Sequence, residues 1–181
     1  MPRQLASLAL AASLLLPAGC ATVTTGADFT PDTRFPDFKT YSWGPRDDLP
    51  TGDPRLDNNP FFDARVRSAV EWELTTRGLK PVDQGADLNL HYHISIQQRI
   101  DVFAVDRMAG YDYPGQARDS ALSVYDEGTL IVDMVETRSR QVIWRGWAKT
   151  NLEGVIDRPD RLKTRVDEAV AAMFRRYPHS R

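Results

Sequence analysis

The chain of 181 residues has one cysteine, Cys20, and three histidines. A single thiol excludes a disulfide framework, a cysteine-held iron–sulfur cluster and any zinc site built from several thiolates. Basic charge is not in excess: 23 Lys and Arg stand against 25 Asp and Glu, a formal net charge of −2. That excludes a nucleic-acid binder that relies on a basic field. No apolar stretch has the length of an ordinary membrane span. Leu5 to Leu16, an unbroken run of Leu, Ala and Ser, has twelve residues; a helix of that length reaches about 18 Å against a hydrocarbon core of ~30 Å. The sequence also lacks a Gly-x-Ser-x-Gly elbow, a His-Glu-x-x-His pair, a Gly-rich phosphate loop, a dinucleotide fingerprint and any internal repeat. Nothing in it predicts an enzyme, a catalytic residue or a cofactor. Acidic pairs such as Asp101 with Asp106, or Asp126 with Glu127, fall in or beside loop sequence, where solvated carboxylates are the default. What is present in quantity is apolar surface, 41% of residues, enough for one packed core and too much for a wholly disordered chain.

The lone cysteine takes its meaning from its position. Arg3 precedes the apolar run, and Leu16-Pro17-Ala18-Gly19-Cys20 follows it. A charged start, a short apolar centre and small residues beyond it predict a secretory signal peptide over residues 1–19. The ending resembles the bacterial lipobox, in which small residues precede a cysteine that is acylated and becomes the mature N-terminus. It departs from that pattern in having Pro17 three places before the cysteine, with Leu16 one step earlier. Lipidation of Cys20 predicts stable membrane anchoring, because two or three acyl chains (a palmitate among them) exceed the single chain that binds only marginally. It also leaves an exported domain without a free thiol, suited to an oxidising compartment. Ala21, where an Asp would resemble an inner-membrane retention signal, predicts the periplasmic face of the outer membrane.

Residues 20–36, rich in Thr, Asp and Pro, read as the lipidated cysteine and an extended tether, and 37–181 as a single periplasmic domain. In that domain, alternation predicts strands over 37–44, 86–100, 128–136 and 141–151. A three-residue hairpin loop at Arg138-Ser139-Arg140 would set Met134 opposite Trp144 and Asp133 opposite Arg145. Apolar stripes predict helices over 61–79 (Phe62, Val66, Ala69, Val70, Leu74), stopped by Gly78, and over 159–177 (Leu162, Val166, Ala169, Val170, Met173), stopped by Pro178. Residues 102–126 read as a long loop with short strand ends. The sum is an α+β two-layer sandwich: a mainly antiparallel sheet of about four strands with two helices on one face.

The helices would cover Leu88, Tyr92, Ile94, Leu130, Val132, Met134, Trp144 and Ala148. The opposite face would carry His91, His93, Ser95, Ile131, Asp133, Val135, Ile143, Arg145 and Trp147, too apolar for a simply wet surface. It would be covered by the 102–126 loop or serve as a contact site. The predicted interaction surface is Trp147, Ile143 and Arg145, flanked by Tyr111 and Tyr113, rigid amphipathic rings in that loop. Trp43, Trp72 and Trp144 read as core and rim anchors. The alternative is a metal- or small-ligand-binding module. His91 and His93 point the same way on a strand, with Asp133 as a conceivable third ligand; two histidines on a polar sheet face account for the same spacing without a metal.

In this order the elements resemble a bacterial lipoprotein family known as domain of unknown function 4136. The stretches that carry the resemblance are Asp37 to Trp43, Leu74 to Leu79 with Arg77-Gly78, Ala86 to Tyr92, Tyr125 to Asp133, Val142 to Ala148, and Ala169-Val170 with Phe174 and Tyr177-Pro178. The resemblance implies a small envelope lipoprotein with an α+β domain, and brings no activity, cofactor or site residue with it. The expectation is thus a non-enzymatic, membrane-anchored protein whose periplasmic domain binds an envelope protein partner or has a structural role.

Overall fold

The computed structural model describes residues 23–45, 49–100 and 124–178. The chain runs through β1 (Thr24–Phe29), a 3-10 turn at Phe35–Asp37, β2 (Thr40–Trp43), α1 (Pro60–Thr76), β3 (Lys80–Pro81), β4 (Leu88–Ile100), β5 (Val124–Glu136), β6 (Val142–Asn151) and α2 (Pro159–Phe174). The strands form one sheet in the order β1-β6-β5-β4-β2-β3. The pairings β1–β6, β5–β6 and β4–β5 are antiparallel, whereas β2 lies parallel to both β3 and β4. The α+β expectation holds, with two helices among the described residues.

The helix ends follow from local chemistry. The Asn59 side chain accepts from the amides of Phe61 and Phe62, and Pro60 occupies the first turn, where no amide is needed. At the other end Gly78 has φ +85°. Its N–H donates to the Thr75 carbonyl while that of Leu79 donates to Leu74, the left-handed stop that glycine makes without steric cost. No helix of the described residues is long and apolar enough to cross a membrane.

The sheet is wider than the expected four strands: β1 and β3 bring it to six. β3 is two residues long and arises from the parallel pairing of Lys80 and Pro81 with Thr40 and Tyr41. β1 lies inside the stretch expected to be tether. Its sequence, TTGADF, has no alternating apolar face because it is an edge strand, and one of its central residues is a glycine. Trp147 explains that glycine: its indole lies across Gly26, its register partner, where a Cβ would collide with the ring. Val23, just ahead of the strand, packs against the core.

On the helix side the core runs from Leu88, Leu90, Leu130, Val132 and Met134 to Val66, Val70, Leu74, Val166, Val170 and Phe174. Trp144 is 0% exposed. Its ring sits 5.1 Å from Phe174 and 5.8 Å from Tyr177, and burial pushes the Tyr177 hydroxyl up to about 12. Two polar contacts tie the sheet to α1: Tyr92 Oη to Asp63 at 2.8 Å and Trp43 Nε1 to Glu71 at 2.8 Å. Asp87 clamps the start of β2, accepting from the Lys39 and Thr40 amides and the Thr40 hydroxyl at 2.8–3.0 Å. Those donors hold its carboxyl below its ordinary value.

The expected hairpin register is present, with Met134 opposite Trp144 and Asp133 opposite Arg145, but the next pair is Val135 with Val142. The slip leaves Ile143 as an extra residue on β6, a bulge that redirects its side chain. Ile143 is 5% exposed and belongs to the core, so its expected place on the open face is corrected.

Gly146 is a position where the packing around Trp144 is tight. A methyl group there would collide with the six-membered ring of Trp144. Gly146→Ala is expected to lower unfolding free energy by about 1–3 kcal/mol, the cost of overpacking a filled core; a urea midpoint equal to wild type would contradict it.

Candidate functional site: the sheet face opposite the helices

Because side chains alternate along strands, one residue in two on β4, β5 and β6 points away from the helices. The register brings them into two rows across the sheet. One row is His91, Asp133, Arg145 and Asp28; the other is His93, Ile131, Trp147 and Gly26.

The first row is organised by a bidentate ion pair. Arg145 Nε donates to Asp133 Oδ1 and an Nη to Oδ2, both at 2.6 Å. Asp133 is 4% exposed, while the Arg145 side chain remains 49% exposed. Hydrogen bonds from Arg145 to Asp133, with the further negative charge of Asp28, push the guanidinium above its ordinary value. The pair thus buries a carboxylate by giving both its oxygens to one cation, the fork geometry in which arginine exceeds lysine.

The second row is apolar. Trp147 is held between Gly26 on β1 and Ile131 on β5 and is half-buried. The face therefore presents a fixed indole beside an exposed guanidinium, with Ile131 and Val135 half-buried around them. It is suited to surface contact; it offers no free carboxylate base at Asp133.

The predicted metal set does not assemble. His91 and His93 share the face, but the His91 ring lies over Gly44, where a Cβ would collide with it. His93 Nε2 is 3.9 Å from Asp133 Oδ2, an oxygen already bonded to Arg145. Among the described residues no group of three His, Cys, Asp or Glu is placed to hold a metal ion. Of the expected interaction residues, Trp147 and Arg145 lie together on the open face and Ile143 does not. Tyr111, Tyr113 and Cys20 lie outside the described residues, as do Asp101, Asp106 and most of the expected 102–126 loop. The end of that loop is strand: Val124, Tyr125 and Asp126 belong to β5. Glu127 pairs with Arg99 at 3.2 Å, an ordinary surface ion pair.

Sequence reasoning missed one feature. Trp72, expected to be a core or rim anchor, is 70% exposed, at the side of a groove of about 600 Å³ between α1 and α2 that Arg65, Ser68, Lys163 and Asp167 also line. The signal was available: Trp72 falls outside the stripe formed by Val66, Ala69, Val70 and Leu74.

Asp133 and Arg145 should be energetically coupled. In a double-mutant cycle of Asp133→Asn and Arg145→Gln, the interaction energy from urea unfolding is expected to be roughly 1–3 kcal/mol. A value near zero would mean that the two residues contribute independently.

Three comparisons bear on this architecture. Among curated proteins none matches the chain. Of solved structures, a DUF4136 family protein from Bacteroides thetaiotaomicron is 14% identical, covering 86% of this chain and 96% of its own, with a TM-score of 0.52. A PDZ domain protein from Parabacteroides distasonis is 17% identical over 88% of this chain, with a TM-score of 0.56; the chain spans only 36% of that protein's length. A minor lipoprotein from Acinetobacter baumannii is 12% identical, covering 77% of this chain and 91% of its own, with a TM-score of 0.42. At these identities the first two likenesses concern the fold alone. The family model described as Domain of unknown function (DUF4136) matches residues 25–179. With nearly all of β1 through α2 inside that match, the chain belongs to the DUF4136 family.

Proposed function

We propose that this protein is a lipid-anchored component of the cell envelope, held through Cys20 at the periplasmic face of the outer membrane, whose domain binds a protein partner and performs no catalysis. The observation that carries the binding role is the register that sets Trp147 beside Arg145 on a face the helices do not cover. Tryptophan and arginine are the residues that most often concentrate binding energy at interfaces. Here both are held in place before any partner arrives, Trp147 by Gly26 and Arg145 by Asp133, so little side-chain entropy is left to lose on association. Asp133 is the register partner of His91 and lies 3.9 Å from His93, and its engagement with Arg145 disfavours it as a base or ligand. The anchoring role is supported by the position of Cys20 directly after the apolar run, and by Ala21 rather than Asp after it.

Two measurements test the two halves. Cys20→Ala, or globomycin treatment, is expected to leave an unprocessed or soluble protein; normal processing and membrane fractionation of the mutant would refute lipidation. A photo-reactive phenylalanine at Ser95 or Ile131, on the open face, is expected to give a discrete crosslinked adduct in cells. The same group at Arg65 or Glu168, on the helices, is expected to give none. Adducts spread equally over the four positions, or confined to the helices, would remove the open face as the binding surface.

A further inference from the structure

β1 and β2 flank the β6-β5-β4 strands on opposite sides, and the chain leaves β1 and enters β2 at the same end of the sheet, where Phe29 pairs with Trp144 and Tyr41 with Leu88. Residues 30–39 therefore cross the ends of those three strands. The crossing is fixed at its two ends, by the Thr30 amide on the Ile143 carbonyl and the Lys39 amide on Asp87. Between them Pro31 and Pro36 have no amide to give to a ladder, and the Phe35 ring packs 5.2 Å from Tyr177. A cleft of about 610 Å³ lies between the crossing segment and the strand ends, within the size range of about 300–1,000 Å³ usual for small-ligand sites.

The crossing segment lines this cleft with Arg34 and Asp37, and the strand ends line it with Asp87, Glu136, Arg138 and Gln141. Phe38 and the redirected Ile143 supply apolar surface. Two of the three carboxylates are engaged within the domain. Asp87 accepts from the Lys39 and Thr40 amides and the Thr40 hydroxyl, and Glu136 accepts from the Ser139 hydroxyl. Asp37 has only an exposed contact to Arg34 at 3.3 Å, a kind of pair worth little in water. The charge of Arg138 acts on Asp87, but among the described residues its guanidinium and the Gln141 side chain have no hydrogen-bond partner. The charges decide what fits. With three carboxylates against two guanidiniums, a purely anionic ligand would meet net repulsion, and a purely cationic one would leave the Arg138 fork unused. A molecule carrying one charge of each sign matches both.

We propose that this cleft binds a short peptide with both termini free, its carboxylate held by Arg138 and Gln141 and its ammonium beside Asp37. A guanidinium meets a carboxylate through two parallel hydrogen bonds, a geometry that a point charge does not offer. Small side chains of the peptide would rest on Phe38 and Ile143. The site is separate from the open face, since neither Trp147 nor Arg145 lines it, and it does not depend on the anchoring of Cys20.

The test is titration of the full chain with alanyl-alanine, its N-acetyl form and its C-terminal amide, read by the NMR shifts of the Arg138 Nε–H and the Gln141 side-chain amide. Blocking either end of the peptide is expected to weaken binding about tenfold, the worth of one charge-assisted hydrogen bond. Arg138→Gln is expected to erase the advantage of alanyl-alanine over its amide and to keep its advantage over the acetyl form. Asp37→Asn is expected to do the reverse. Both residues are exposed, and the comparison of the three peptides on the wild-type protein does not depend on how a variant folds. Equal binding of either blocked form would overturn the proposal, as would an unchanged preference in Arg138→Gln. So would the absence of any shift at about 10 mM alanyl-alanine, enough to fill a millimolar site.

Discussion

The contact on which the arrangement depends is the indole of Trp147 lying across Gly26. It helps hold onto β6 an edge strand with no apolar alternation of its own, three of whose six residues are exposed. A side chain larger than hydrogen at position 26 would displace the ring, and with it the strand. Because β1 is in the sheet, the folded domain is under way by Val23, well before residue 37. The same ring is also the main apolar feature of the open face. One packing contact thus both holds the edge strand and shapes the open face.

The Asp133–Arg145 pair plays the corresponding polar part. A carboxylate buried in mid-sheet would be costly if left alone, and the bidentate guanidinium removes that cost while keeping its own outer edge in water. The outcome is chemical quiet. The buried carboxylate of Asp133 is spent on a cation, His91 is packed over Gly44, and His93 meets an occupied oxygen. Among the described residues, this face is mixed in polarity, with a half-buried indole beside an exposed guanidinium.

Much of this was legible from residue order. The two helices are legible in the stripes ending at Leu74 and Met173, and the hairpin spacing alone sets Asp133 against Arg145. The signals that failed share a physical cause: each depends on a neighbour distant in sequence. TTGADF carries no periodic signal, because an edge strand covered by one tryptophan needs a glycine and not an alternating face. Ile143 follows strict alternation onto the open face until the slip between Met134 and Val135 turns it into the core. His91 and His93 share a face as expected, yet what they do there is decided by Gly44 and Arg145. Trp72 is a different case: it lies outside the stripe of Val66, Ala69, Val70 and Leu74, and its exposure was legible in the sequence.

The central claim is that Thr24–Phe29 is a folded strand and not a tether, and amide hydrogen exchange on the intact protein tests it most directly. The β1 amides bonded to β6 are predicted to exchange far more slowly than those of an unstructured peptide, and to lose that protection in Gly26→Val while the amides of β4 and β5 keep theirs. Free exchange across residues 24–29 in the wild-type protein would contradict the account.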